Sequence, residues 1–304
     1  MDQEAQGQRI DNFLMRCVKG VPRSHIYRVL RRGEVRVNKG RVKAGYRVCA
    51  GDMIRIPPMR TADLRAEHRA PSVQLDRLEK AILFEDDRLL VLDKPAGLAV
   101  HGGSGLSYGL IEALRQLRPS KELELVHRLD RETSGCLVVS KRRSALRELH
   151  QLIRENRLDK RYIALLTGPL DRREVVVDAP LRKNVLSSGE RLVRVDTEQG
   201  KSARTIFRRL RHFTRFTLAD VRLITGRTHQ IRVHARHLGA PLAGDSKYGG
   251  DEVNKILREL GLKRLFLHAS ALSFQLQYMS RPLRVEAPLP AELQDLVTTL
   301  EQQQ

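Results

Sequence analysis

A break in patterning constrains the fold more than any other feature of this sequence. Pro57-Pro58 is followed by residues 59–78 (MRTADLRAEHRAPSVQLDRL), a charged stretch with no sustained apolar face. A segment that cannot bury one face does not build a core. The chain is therefore expected to form two separately packed units, residues 9–58 and 79–304, joined by a linker over 59–78. Its 304 residues are enough for two such units.

The first unit reads as two helices and short strands. Ile10, Phe13, Leu14, Cys17 and Val18 recur at helical spacing on one face. Gly20 is placed to end that helix and Pro22 to open the next. On the second helix Ile26, Val29 and Leu30 share a face, while Arg28, Arg31 and Arg32 project from the other, with Arg23 at its start. Gly33 suits the left-handed position after the last turn. Val35 and Val37 alternate with Arg36 as in a half-buried strand, and Asn38-Lys39-Gly40 is a turn signal. Gly45, Gly51 and Asp52 punctuate two more short strands.

Charge narrows the function. The formal net charge is +20, and residues 9–58 hold 13 Lys/Arg against 3 Asp/Glu. Half of the surplus thus sits in a sixth of the chain. A one-signed cluster on a small unit favours phosphate contact over an ordinary solvated face, and predicts salt-sensitive affinity for polyanions. No apolar run approaches the roughly 18 to 20 residues that span a membrane, and no basic helix carries a large apolar face. Nucleic acid is the better-fitting partner. MDQEAQGQR carries no apolar secretory core, so the expected compartment is the cytoplasm. Cys17, Cys49 and Cys136 lack metal-like spacing and read as small buried hydrophobes. His229, His234 and His237 are spaced 5 and 3 apart without carboxylates on their helix. That pattern does not put three ligands on one face, and no metal site is expected.

The second unit begins near Leu78. AILFEDDRLLVLDKPAG gives two strands around an Asp86-Asp87 turn, then a Lys94-Pro95 loop. Asp93 is one carboxylate candidate; the plainer alternative is a strand-end aspartate capping the next turn. His101-Gly102-Gly103-Ser104-Gly105 either approaches a phosphate backbone or is only a turn, and it lacks the Lys-Ser/Thr of a P-loop. A helix is expected over 109–117. HRLDRETSG (127–135) then places Asp130 between Arg128 and Arg131, just before the apolar run Cys136 to Val139. A loop entering a strand is a favourable place for a catalytic group. Flanking guanidinium charges would keep the carboxylate ionised, which suits a nucleophile better than an acid. The plainer alternative is a surface turn with a local ion pair. Further on, the pattern predicts a helix from Ser144 to about Glu155 with Leu146, Leu149 and Ile153 inward. A strand follows at KRYIAL (160–165), with successive strands over 173–225 and turns at Ser187-Ser188-Gly189 and Gln199-Gly200. A helix then carries Ile231, Ala235 and Leu238 inward, and a terminal helix closes the chain.

HRLDRETSG resembles the motif of the RluA-type pseudouridine synthases, whose aspartate is the catalytic nucleophile. KRYIAL is similar to that family's second motif and GRTHQIRVH (226–234) to its third. PLAGDSKYG (241–249) and LFLHASALSF (265–274) are family-like as well. PRSHIYRVLRRGEVRVNKGRV (22–42) resembles the S4 RNA-binding domain. The resemblance implies an α+β chain. An S4 domain (αL-type) would occupy 9–58, and a catalytic domain on a mixed, mainly antiparallel sheet flanked by helices would occupy 79–304. It implies Asp130 as nucleophile, Tyr162 against the target base with a part in removing the C5 proton, and Arg232 paired with Asp130. Arg128 becomes a wedge that helps extrude the base, Ile231 and Leu267 become pocket walls, and Arg131 is left structural. The RNA role passes to Arg23, Ser24, Arg28, Arg31, Arg32, Asn38 and Lys39. No cofactor is implied. GVPRSHIYRVLRRGEVRVNKGR, AVHGGSGLSYGLIEALR and SKRRSALRELH point within the family toward an enzyme of several 23S ribosomal RNA uridines. Its partner would be that RNA or a pre-50S particle, and it would act as a monomer. A non-catalytic RNA-binding assembly factor of the same ancestry would lack Asp130, Tyr162 or Arg232, and all three are present. A metal-dependent nuclease would need a ligand cluster that the sequence does not display.

Overall fold

The computed structural model describes residues 6–18, 21, 23–59, 70–102, 108–119, 122–185 and 191–303, with backbone alone for Arg23, Val185 and Arg191. Gly20, Pro22, Gly103 to Gly105 and the turn expected at 187–189 lie outside the described residues. The chain divides into two compact units, Met1–Arg69 and Ala70–Gln304.

In the first unit, helices α1 (Ile10–Cys17) and α2 (Arg23–Arg32) pack on a small antiparallel sheet of β1 (Arg36–Val37), β2 (Gly40–Arg41) and β3 (Ile54–Arg55). Ile10, Phe13, Leu14, Ile26, Val29, Leu30, Val35, Val37 and Val48 form its core. Gly33 has φ +71° and ends α2 as the sequence predicts, with Glu34 N donating to Val29 O at 3.0 Å. Asn38 and Lys39 are both left-handed, the geometry of a two-residue hairpin between β1 and β2. Two further short strands, β2 and β3, follow β1, and the segment between them adds a single bridge, Arg47 with Arg9. Cys17 and Cys49 are exposed, against expectation, while Cys136 is buried. The apolar face of α1 buries only its first two turns, so Cys17 passes beyond the covered surface.

The second unit starts earlier than the sequence suggests. Ser72–Lys80 is a helix, α3, with Leu78 fully buried, so the expected linker is shorter by that helix. Strands β4 (Ile82–Glu85) and β5 (Leu89–Lys94) precede α4 (Leu110–Leu117), β6 (Glu124–Leu125) and β7 (Ser134–Ser140). Then come α5 (Arg143–Arg154), β8 (Asp159–Leu166), β9 (Glu174–Asp178), and the separate hairpin β10 (Leu181–Val185) and β11 (Arg191–Val195). The chain continues through β12 (Arg204–His212), β13 (Thr217–Leu223), α6 (Gln230–His237), α7 (Asp251–Glu259), β14 (Leu267–Phe274), β15 (Leu283–Glu286) and α8 (Ala291–Gln302). The main sheet runs β4-β5-β7-β14-β8-β13-β12-β9, with β15 on β14 and β6 on β7. Among the described residues only the β7–β14 pairing is parallel, so the sheet is mixed and mainly antiparallel.

Alternation along the strands separates two cores. Leu90 and Leu92 of β5, Leu137 and Val139 of β7, and Tyr162 and Ala164 of β8 pack on one face with α4 and α6. Leu89, Val91, Cys136 and Val138 pack on the other with α5, and Leu165 packs there with α7 and α8. All seven residues of β7 are buried, so it is a central strand covered on both faces. The buried side of α5 is Ala145, Leu149 and Leu152; Leu146 and Ile153 are only partly buried, a rotation of the expected face.

Candidate active site

Asp130 lies in the loop that enters β7, and that loop is tightly held. Gly97 N donates to Arg131 O at 2.8 Å, and Arg131 Nε donates back to Gly97 O at 2.9 Å. The buried Lys94 ammonium donates to Pro95 O, Leu98 O and Arg131 O at 2.8, 2.9 and 3.1 Å. The Lys94-Pro95 loop is thus bolted to the Asp130 loop. Thr133 N closes a turn on Asp130 O at 3.1 Å. At the strand entrance Gly135 has φ +107°, and a Cβ there would stand 2.3 Å from Ala269 O. Only glycine lets β7 and β14 approach this closely. Next to it Arg264 Nη2 donates to Ser134 Oγ at 2.6 Å, so the Ser134 hydroxyl donates to His268 Nδ1 at 2.9 Å. His268 Nε2 then donates to Ala287 O at 3.1 Å. This buried chain fixes the end of the loop to β14.

The expected flanking ion pairs do not form. Arg131 turns to Gly97 and, at 3.8 Å, to Glu132, and Arg128 is exposed at the pocket rim. The groups that face the Asp130 carboxylate come instead from α6 and the turn before it. Arg232 Nη1 lies 3.9 Å from Asp130 Oδ2, and His229 Nε2 lies 4.0 Å from the same oxygen. Arg232 spends its other donors on Asp245: Nε to Oδ2 at 2.8 Å and Nη2 to Oδ1 at 2.7 Å. Asp245 is fully buried and also accepts from Lys247 N and Tyr248 N, both at 2.9 Å. Burial alone would lower the Arg232 pKa, but the Asp245 bonds outweigh it and raise it. Burial likewise opposes ionisation of Asp245, yet the Arg232 bonds hold its pKa below the ordinary value. The pairing of Arg232 is therefore shared, with Asp245 as the anchor and Asp130 as the second partner.

One pocket gathers these groups. It holds about 430 Å³ of open space and is lined by Arg128, Asp130, Tyr162, Ile231, Arg232 and Leu267, together with Leu129, Thr133, Leu223, Gly226, Arg227, His229 and Gln230. Tyr162 enters from β8 and is 5% exposed. Burial, and secondly the Asp130 charge, raises its pKa, so its hydroxyl keeps its proton. The pocket thus offers a carboxylate, two nitrogens within 4.0 Å of one of its oxygens, an aromatic ring and aliphatic walls.

All six catalytic and substrate-binding residues expected from the sequence meet in this pocket. Asp93 does not; it lines a separate groove with Arg264 and Glu292, where burial raises its pKa. The three histidines separate as well. His234 is fully buried between Thr205 Oγ1 at 2.8 Å and Ala179 O at 3.0 Å, His237 is exposed, and only His229 reaches the pocket. Among the RNA-binding candidates, Ser24, Arg28, Arg31, Arg32 and Lys39 are exposed. Asn38 is committed to its own unit, bonding Asp52 Oδ1 and Met53 N, each at 2.9 Å; its side chain braces the hairpin. His229, Asp245 and Tyr248 are the neighbours of Asp130 and Arg232 to which sequence reasoning gave no place at the site. The available signal was the polar GDSKYG stretch, where an aspartate and a tyrosine sit in a turn rather than on a surface helix.

A mixed sheet carrying a carboxylate at the mouth of its central strand is the architecture of a known class of RNA-modifying enzymes. The chain is similar in structure to Human RNA Pseudouridylate Synthase Domain Containing 4, with a TM-score of 0.63 and 26% identity, covering 75% of this chain and 96% of that one. A second human protein, RNA Pseudouridylate Synthase Domain Containing 1, gives 0.58 at 26% identity over 73% and 94%. The family model described as RNA pseudouridylate synthase matches residues 88–237, and the S4 domain model matches residues 8–54. The ribosomal large subunit pseudouridine synthase C of Pasteurella multocida (strain Pm70) is 52% identical, covering 100% of this chain and 93% of that protein. The enzyme of the same name from Escherichia coli (strain K12) is 53% identical over 93% and 90%. The chain belongs to the RNA pseudouridylate synthase family, with an S4 domain at its N-terminal side.

Proposed function

We propose that this enzyme isomerises specific uridines of 23S ribosomal RNA, the RNA of the large subunit, to pseudouridine, with Asp130 as the nucleophile. The observation that carries the proposal is the Asp130 carboxylate, 3.9 Å from Arg232 Nη1 and lining one pocket with Tyr162. The relatives' names supply the substrate class. The reaction breaks the N1–C1′ bond, turns the uracil and joins C5 to C1′; the C5 proton leaves to solvent or a carrier and N1 takes up a proton in its place. Atoms are conserved, so no redox partner or group donor enters. A base inside a helix must first be extruded, at a cost of a few kcal/mol. Arg128 at the rim is placed to fill the vacated stack, and Tyr162 to receive the uracil face. Because burial keeps the Tyr162 hydroxyl protonated, the tyrosine does not itself accept the C5 proton. Arg232 holds the carboxylate, and Ile231 and Leu267 exclude water from the sugar. The exposed cations of the first unit, Arg28, Arg31, Arg32 and Lys39 with Arg23 and Ser24, contact RNA phosphates. The enzyme works as a monomer in the cytoplasm, on free 23S RNA or a pre-50S particle, without a metal ion.

Asp130→Asn tests the assignment. Pseudouridine formation on purified 23S RNA should fall below detection, while RNA affinity by filter binding stays within about twofold. Appreciable turnover by the Asn variant would remove Asp130 from the nucleophile's role. Mapping pseudouridines in rRNA from a deletion strain, with and without the wild-type gene, identifies the uridines.

A further inference from the structure

We propose that His229 is a positioning residue for the isomerisation: a neutral imidazole that carries its proton on Nε2 and, with Arg232, holds one oxygen of Asp130. The inference rests on Asp130 being the nucleophile. His229 caps α6 with φ 53° and ψ 21°, a left-handed conformation uncommon for a residue with a side chain. The surrounding turn fixes it there. Gln230 Oε1 accepts from Thr225 Oγ1 at 2.7 Å and from Arg227 N at 3.0 Å, so the backbone is tied on the strand side of His229. Strain held this firmly is a mark of a functional site.

The hydrogen bonds decide the tautomer. Tyr248 is 3% exposed, and its hydroxyl oxygen accepts from Val193 N at 3.0 Å. The hydroxyl hydrogen is then free for His229 Nδ1, 2.8 Å away. With Nδ1 accepting, a neutral ring carries its proton on Nε2. Nε2 is then turned toward Asp130 Oδ2, 4.0 Å away. Burial lowers the His229 pKa and favours the neutral form. The rings of His229 and Tyr248 also meet edge to face with centroids 5.6 Å apart, so the imidazole plane is packed as well as bonded.

Arg232 Nη1 approaches that same Oδ2 at 3.9 Å. Two donors converging on Oδ2 leave Oδ1 to face the reacting carbon. Donor contacts of this length tighten when substrate closes a site. The relay Val193–Tyr248–His229 therefore links the β10–β11 hairpin to the orientation of the carboxylate.

The test compares two substitutions. Asparagine tolerates left-handed backbone and can meet Tyr248, but it is too short to reach Asp130. Glutamine can place an amide N–H where Nε2 stands. In single-turnover assays on purified 23S RNA, His229→Asn should slow pseudouridine formation by about 10- to 100-fold with RNA affinity unchanged. His229→Gln should recover most of the rate. Tyr248→Phe should give a partial loss that adds little to His229→Asn. Thermal melts check that each variant folds; if a His229 variant does not, Tyr248→Phe alone decides by its rate. A wild-type rate for His229→Asn, full rescue by Asn rather than Gln, a wild-type rate for Tyr248→Phe, or losses that simply multiply in the double variant would overturn the proposal. An inactive Asp130→Asn beside a fully active His229→Asn rejects the His229 role alone, whereas an active Asp130→Asn rejects the nucleophile reading beneath it.

Discussion

At the scale of single residues, the site depends on the buried charge pair of Arg232 and Asp245. Asp245 is fully buried, and its two oxygens take two donors of Arg232. Losing one member of such a pair leaves a buried charge without its partner, at about 3–5 kcal/mol. Asp245→Asn should therefore lower stability by that order in urea unfolding and reduce turnover, because Arg232 is then free to leave Asp130. The pH dependence has a definite sign. The folded-state pKa of Asp245 lies below its ordinary 3.8, so its contribution is fully present above about pH 4 to 5 and is lost as pH falls through the folded value. The wild-type stability curve should drop in that acid range, and the Asn variant should drop less steeply. Parallel curves would show that Asp245 carries no such linkage.

At the scale of elements, the β7–β14 junction sets where the Asp130 loop sits. A Cβ on Gly135 would meet Ala269 O at 2.3 Å and Ala269 N at 2.6 Å, on a backbone with φ +107°. Gly135→Ala combines left-handed strain of about 1–3 kcal/mol with overpacking of about 1–3 kcal/mol. A loss of about 2–6 kcal/mol in chemical unfolding is expected; a change under 1 kcal/mol would mean that the strands part easily here. The same junction explains what the sequence could reveal. β5 and β7 are near-continuous apolar runs, legible because a strand covered on both faces has no polar side. Tyr162 and Arg232 were reached through motifs, and one pocket holds both. Helix α3 was not legible, since Leu78 is its only fully buried residue and its other faces are charged. The Arg232–Asp245 pair was hidden for a different reason. Arg232 and Asp245 lie 13 residues apart, across a turn whose geometry no local periodicity encodes. The flanking-arginine expectation failed because sequence adjacency says little about direction in a loop: Arg131 points to Gly97 while Arg232, far along the chain, points to Asp130.

At the scale of the whole molecule, positive charge is concentrated in the first unit. The chain carries +20 overall, with a surplus of 10 between residues 9 and 58. Phosphate contact supplies affinity without reading sequence, and each neutralised phosphate releases counterions. Arg28, Arg31 and Arg32 are exposed on α2, and their replacement leaves the core of Ile26, Val29 and Leu30 intact. The full-length Arg28→Gln/Arg31→Gln/Arg32→Gln variant should therefore fold with an unchanged melting temperature. If each arginine meets one phosphate, the slope of log affinity against log salt should become shallower by about 2 to 3, since each contact carries about 0.7 on single strands and about 0.9 on duplex DNA. Fluorescence anisotropy on an rRNA fragment across a salt series measures that slope. The single-turnover rate at saturating enzyme should stay close to wild type, because the chemistry lies in the other unit. A slope identical to wild type would move the phosphate contacts off α2, and a lost single-turnover rate at saturation would mean that these arginines also set the pose of the target uridine.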